Sequence, residues 1–421
     1  MRKHTKDKKL GKKISEKVKK IRNKIKPDEY NSFSIPEVIM LVVISILFGV
    51  IVGCILTYSK TLGKGNYTNE ENRLISTFEK IRDNYYEEVS EEDLTDAAID
   101  GMLNSLDDPY SYYMDSTTTT DFKQRIDGSY IGVGITVLHC EGGDNSVTEI
   151  FENSPAAKAG VKVGDIFLSI DGKEVRTVSL EEISKAIEGK KGTSSEFVFL
   201  RDEKEVKVKI TRGLVEIPSV TSKVIKQDNK NIGYVYIETF AANTYAQFSK
   251  KLVALEKKNI DSLIIDVRSN PGGHLSQVQS ILSMFFDKKT ILYQVETKGN
   301  IEKFYANTKD KRNYDVVVLI DSSSASASEI LAACFKDNYK NVTLVGTKSY
   351  GKGTIQKTYE FSNGSSLKYT AQKWLTSKGK SIDGEGIEPD VVVELNDEYY
   401  NNPTDENDLQ LQKAIEILKN K

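Results

Sequence analysis

The chain is 421 residues long, more than one ordinary core holds, so two or three domains are expected. Its formal net charge of −2 hides an asymmetry: residues 1–30 hold thirteen Lys or Arg against four acids, and the remainder is net acidic. Three cysteines imply no disulfide framework, and no segment has metal-ligand spacing, so neither a disulfide scaffold nor a metal or cofactor is called for.

A basic run of this kind can neutralise nucleic-acid phosphates, but the adjoining apolar segment argues for a membrane tail and no nucleic-acid partner. Val38 to Tyr58, VIMLVVISILFGVIVGCILTY, has no charged residue in 21 positions. At about 1.5 Å per helical residue that spans a bilayer core of about 30 Å. Positive charge on its N-terminal side places residues 1–36 in the cytoplasm, 37–58 across the cell membrane and the rest outside. A cleaved signal peptide fits less well, because the basic region is long and the apolar run has full membrane length. Ile51-Val52-Gly53-Cys54 also resembles a bacterial lipobox, with Cys54 lipidated; a membrane-embedded Cys54 is the simpler reading.

Next comes a linker and small helical region, 59–120. GKGNYTNEEN is polar, LISTFEKIRDNYY and EEDLTDAAIDGMLNSL carry apolar residues at helical spacing, and DDPYSYY (107–113) contains an Asp-Pro turn. From Gly128 short β-runs take over: YIGVGITVL, SVTEIF, IFLSI, EFVFL and VKVKI. SLEEISKAI (179–187) reads as a helix capped by Ser179. With SPAAKAGVKVGDIFLSIDGKEV (154–175), residues 121–213 resemble a PDZ domain, a β-sandwich-like fold. The resemblance makes Tyr130, Ile131, Gly132 and Val133 the peptide-binding loop. There a Gly-rich turn lets backbone N–H groups converge on a peptide carboxylate while the next strand pairs with the peptide.

Residues 214–421 alternate longer apolar runs (NIGYVYIETF, SLIIDVRSNPGG, DVVVLID, VTLVG) with helical stretches (YAQFSKKLVALEKK, SQVQSILSMFF). They close on a helical tail, DENDLQLQKAIEILKNK, and the alternation predicts a mixed α/β core. The fold class is therefore α/β multi-domain, with one N-terminal transmembrane helix.

Five of the ten residues in DSSSASASEI (321–330) are serines, at a predicted strand-to-helix turn. Such a turn exposes a hydroxyl beside free helix N-terminal amides, which favour developing negative charge, although serine is also an ordinary helix cap. The base is not obvious. His139 falls in a PDZ-like strand and His274 in a loop after SNPGG. Lys352 in SYGKGTIQ (349–356) is the better candidate: burial can bring a lysine's pKa toward neutrality, and Ser-Lys pairs run triad chemistry. In an extended strand Lys352, Thr354 and Gln356 share one face, so Gln356 is placed to orient the amine.

SSASASEILAA, GTKSYGKGTIQ and DVRSNPGG, with GMLNSLDDPYSYY and SIDGEGIEPDVVVE, resemble the carboxyl-terminal processing peptidases, PDZ-bearing serine proteases of peptidase family S41. The resemblance implies Ser326 as nucleophile, Lys352 as base and Gln356 beside it. It also implies an oxyanion hole from Ala327 and Gly272 or Gly273, with Glu329 and Asp337 in support. Two departures accompany it. The Ser326–Lys352 interval is one residue longer than expected, the surplus falling in KDNYKNV, which leaves Ser324 or Ser328 as fallback registers. Glu188 stands where some relatives would carry a basic residue.

The expected protein is a membrane-anchored bacterial serine endopeptidase outside the cytoplasmic membrane. Its expected partners are protein or peptide substrates with a free C-terminus, with a homodimer contact through 70–115 or the C-terminal helix. The alternatives are a catalytically silent PDZ scaffold and a trypsin-like protease, the latter disfavoured because no GDSGG-like block occurs.

Overall fold

The computed structural model describes residues 15–17, 19, 20, 34–62, 67–139, 143–308 and 311–421. Most of the basic tail, residues 63–66 of the linker, and Cys140 lie outside the described residues. The chain divides into two compact units, Met1–Thr95 and Asp96–Lys421.

In the first unit a helix covers Ile35–Leu62, and its stretch Ile35–Cys54 is long and apolar enough to cross a membrane, with none of it buried. A second helix, Asn69–Asn84, starts at a capping box in which Thr68 and Glu71 satisfy each other's backbone amides. It has no buried residue. A third helix, Glu91–Asn104, runs across the division between the units.

The second unit begins with a PDZ-like sandwich. Its main sheet runs in the order Ile135–His139, Asn145–Ile150, Ile166–Ile170, Ser194–Arg201, Lys204–Thr211. Alternation along these strands turns Phe167, Phe197, Phe199 and Ile210 into the core, where Ile183 of the helix Leu180–Ile187 meets them. Ser179 caps that helix through a capping box with Glu182, as the sequence predicts. A two-stranded ribbon, Ser129–Gly132 against Gly213–Glu216, joins the ends of this domain.

The larger core is a six-stranded sheet in the order Val220–Gln227, Lys230–Ile237, Ser262–Asp266, Asp315–Ile320, Val342–Gly346, Val391–Val392. The first pair is antiparallel and the others parallel. Strands covered on both faces read as continuous apolar runs, and Ser262–Asp266 is buried at every position. Thr244–Glu256, Leu275–Ser283 and Ala327–Asn338 cover one face; the C-terminal helix Leu409–Lys419 covers the other. Buried Arg268 ties that last helix down through Asp266, Asp408 and Gln410.

A further sheet holds Ile291–Thr297, Asn300–Tyr305, Thr354–Glu360 and Ser366–Leu375. Its edge strand is Tyr112–Met114, paired antiparallel with Ser366–Lys368. The linker and helical region read in the sequence as 59–120 therefore contains a strand of this sheet and then enters the helix Ser116–Asp127. Three residues carry too short a pattern for periodicity to reveal a partner so distant in the chain.

Candidate active site

Ser326 sits where the strand Asp315–Ile320 turns into the helix Ala327–Asn338. Its φ of 54° and ψ of −113° lie where non-glycine residues rarely go. The backbone of this turn is held by the Glu329 carboxylate, which accepts from the Ser326 amide at 2.8 Å. The fallback serines are committed elsewhere. Ser324 Oγ donates to the Val267 carbonyl at 2.8 Å and Ser328 Oγ to the Asn270 carbonyl at 2.9 Å, and both residues are fully buried.

Asn270 was not singled out in the sequence, yet it locks the PGG loop to this turn. Its side chain donates to the Ile237 carbonyl, its Oδ1 accepts from the Gly272 amide at 2.8 Å, and its carbonyl accepts from the Ala325 amide. Gly272 passes so close that a Cβ there would fall 2.8 Å from Ser326 Cβ, and its φ is +101°. Gly273, at φ +141°, packs on the Phe240 backbone, with which it forms a parallel bridge. The Gly272 amide is thus occupied by Asn270. The Gly273 and Ala327 amides have no partner among the described residues.

Glu329 is fully buried and joins two loops. Its Oε2 accepts from the Ser326 amide at 2.8 Å and the Lys352 amide at 2.9 Å; its Oε1 accepts from Ser349 Oγ and the Gly351 amide, both at 2.6 Å. Four donors meet one carboxyl group, so its demand for hydrogen bonds is met without water. Asp337 is different. It lies at the far end of the same helix, roughly 17 Å from Ser326 at 1.5 Å per residue. There it binds Ser377 Oγ and Lys378.

Lys352 is half-buried just before the strand Thr354–Glu360. Its carbonyl accepts from Trp374 Nε1 at 2.7 Å, while the following amide, Gly353, donates to Asp383. The segment SIDGEGIEPD packs on this loop, with the Gly384 amide donating to the Gly351 carbonyl and Ile387 to Ser349 Oγ. Burial lowers the Lys352 pKa to about 8, and the nearby charge of Lys368 helps; Asp108 and Glu329 oppose it. Its Nζ lies 4.5 Å above the Tyr110 ring.

No hydrogen bond joins Ser326 Oγ to Lys352 Nζ, or Gln356 to Lys352 Nζ, among the described residues. Gln356 Nε2 instead donates to Thr354 Oγ1 and Thr370 Oγ1. Gln356 and Thr354 share a face, as the strand's period of two requires, but Lys352 precedes the strand, so that period does not reach it. The histidines stand apart: His139 Nδ1 bonds Asn145 Oδ1 within the PDZ-like domain, and His274 precedes the helix Leu275–Ser283 with its Nε2 buried and unpartnered. Buried Cys334 lies in the helix Ala327–Asn338, its pKa pushed up by burial.

A cavity of about 780 Å³ lies in the PDZ-like domain. Tyr130, Ile131, Gly132 and Val133 all line it, with Ile183 and Glu188 on the opposite helix and Asp121 from Ser116–Asp127. The Tyr130 ring lies over Gly132, where a Cβ would fall 2.4 Å from Tyr130 Cε2.

The model of peptidase family S41 matches residues 231–393, a PDZ domain model matches 146–201, and a model described as the activating protease CtpB N-terminal domain matches 57–118. The carboxy-terminal processing protease CtpB of Bacillus subtilis is 37% identical over 351 residues, covering 83% of this chain and 72% of that protein. CtpA of the same organism, also a carboxy-terminal processing protease, is 37% identical over 327 residues, covering 77% and 69%. The solved photosystem II D1 C-terminal processing protease is 25% identical, covers 78% of this chain and 94% of its own, and superposes with a TM-score of 0.45.

Proposed function

This chain belongs to the carboxy-terminal processing serine proteases of peptidase family S41, and from that premise we propose that Ser326 and Lys352 are its catalytic dyad. The observation that carries the assignment is the shared anchor. The Ser326 and Lys352 amides meet one Glu329 oxygen, while Ser324 and Ser328 are tied up in the core.

Neutral Lys352 takes the proton of Ser326 Oγ as the oxygen attacks a peptide carbonyl. The two side chains are not yet hydrogen-bonded, and substrate docking completes the contact, as catalytic hydrogen bonds often tighten only in the complex. Gly273 and Ala327 offer the free amides for the tetrahedral oxyanion, an interaction typically worth about 2.7–4 kcal/mol per donor. The Lys352 ammonium then protonates the leaving amine, and the neutral lysine activates water against the acyl-enzyme. Gln356 supports this arrangement indirectly, through Thr354 and Thr370. Glu329 positions both loops, and Asp337 steadies the helix end.

The PDZ groove captures the C-terminal segment of an unfolded protein, with the peptide carboxylate at Tyr130–Val133. The apolar helix Ile35–Leu62 anchors the enzyme in the membrane, basic tail inside and protease outside. A homodimer through Asn69–Asn84 accounts for Leu74, Ile75 and Ile81, which are exposed on a helix without a buried residue. Light scattering of the detergent-solubilised chain showing only monomer would remove that contact.

The test of the dyad is cleavage of an unfolded protein by the full chain in detergent, beside Ser326→Ala and Lys352→Ala. Loss of activity in both folded variants is expected. An active Ser326→Ala would overturn the assignment of the nucleophile, and an inactive, folded parent would favour a peptide-binding scaffold.

A further inference from the structure

The segment Asp108–Ser111 lies far upstream of the serine and lysine motifs, yet it brings the Tyr110 ring to Lys352 Nζ. Its position is fixed from both sides. Ser111 Oγ donates to Asp108 Oδ2 at 2.5 Å, the Tyr110 amide donates to Asp108 Oδ1 at 3.1 Å, and the Thr370 amide donates to Ser111 Oγ at 2.9 Å. The next strand, Tyr112–Met114, is paired to Ser366–Lys368. The segment cannot drift without breaking a sheet edge. This rigidity delivers the face of the Tyr110 ring to 4.5 Å from Lys352 Nζ.

We propose that Tyr110 is a positioning residue for Lys352, holding the amine in place and stabilising the ammonium that forms when it takes a proton. The proposal rests on Lys352 being the general base. An aromatic face attracts a cation, and the attraction grows where water is excluded. In the free enzyme the ring competes with burial, which favours the neutral amine. During acylation the lysine must become charged, and the same ring then meets that charge without reorganising. Burial, with Tyr350 nearby, raises the Tyr110 pKa, so its hydroxyl stays protonated. The charged and titratable neighbours are Asp108 beside Tyr110, Glu329 from the serine helix, Lys368 from the facing strand, Tyr350 from the lysine's own loop, and Asp383 from the packed turn. Among these Tyr110 is the group seen in contact with the amine itself.

A merely structural Tyr110 would alter stability and leave the base's titration alone, so the readout is the pH profile of kcat/KM with kcat and KM separated. In the full chain in detergent, Tyr110→Leu is expected to lower kcat by about thirtyfold with little change in KM. The acid limb should move down by about half a pH unit as the ammonium loses its partner. Tyr110→Phe, which keeps the face, should recover most of the lost kcat and restore the limb. A graded series of fluorinated phenylalanines at 110 keeps the ring's shape while draining charge from its face, so folding is not at issue. The limb should step downward with each fluorine. Lys352→Ala is measured alongside. If it retains activity, the general-base assignment fails and this proposal with it. If it is inactive while the fluorinated series shows one unchanged limb and kcat, Tyr110 is structural and the positioning role alone is overturned.

Discussion

Ser326 and Lys352 donate their backbone amides to the same carboxylate oxygen, Glu329 Oε2, at 2.8 and 2.9 Å. The two residues assigned to the chemistry are thus joined through a buried side chain, not through a direct contact. Glu329 fixes where each backbone sits, and only the two side chains remain to adjust when a substrate arrives.

Glu329→Gln should therefore be severe. An amide presents one oxygen and one NH₂ where two oxygens now accept four donors, so some N–H groups would face N–H. We expect activity to fall by at least about a hundredfold and stability by about 2–4 kcal/mol. Thermal melts and peptide cleavage at matched concentration would check both. Full activity with an unchanged melt would show that the bridge is dispensable.

With Lys352 as the proposed base, the pH dependence should originate there. With its pKa lowered to about 8 by burial, kcat/KM should rise with pH through a midpoint near 8. At pH 6 it should stand about a hundredfold below the plateau. Lys368→Met removes a neighbouring positive charge that disfavours the ammonium, so the midpoint should move up; Asp108→Asn removes a negative one, so it should move down. Equal midpoints in all three proteins would place the titrating group elsewhere.

A depressed lysine pKa also lowers stability wherever the folded state must carry the charge. The unfolded chain holds the proton up to about 10.5, whereas the folded one releases it near 8. The penalty is complete below pH 8 and fades as pH rises from 8 toward 10.5. Lys352→Met should raise stability at pH 7 by on the order of 1–2 kcal/mol, discounted for the side chain's partial exposure. The gain should shrink above pH 8. A melting series from pH 7 to 10 measures this, and a gain independent of pH would contradict it.

Gly272→Ala tests the approach of the PGG loop to the nucleophile. The added Cβ would meet Ser326 Cβ and the Ala325 carbonyl at 2.8 Å, at a φ of +101° that alanine resists. We expect near-complete loss of activity and a destabilisation of about 2 kcal/mol or more. A stable, active variant would mean that the serine turn can move away freely.

The membrane-length run Val38–Tyr58 is legible because the signal is one uninterrupted composition over 21 residues. The strand–turn–helix around Ser326 and the glycine-flanked strand start at Lys352 are legible because such patterns are local, each set by neighbours within a few positions. The hydrogen bonds of Gln356 are not, because one of them reaches Thr370 on the neighbouring strand, and cross-strand register leaves no cue in the local composition.

The sequence by itself determined the elements, the reactive residue types and the order in which the chain lays them down. Those arise from local sterics, hydrophobic periodicity and turn chemistry. Only the tertiary structure decided that Glu329 joins the serine and lysine loops, that Asn270 takes the Gly272 amide and leaves Gly273 free, and that Tyr110 lies against Lys352. These relations arise when sheets pair residues far apart in the chain, and a long-range pairing leaves no period in the sequence of either partner.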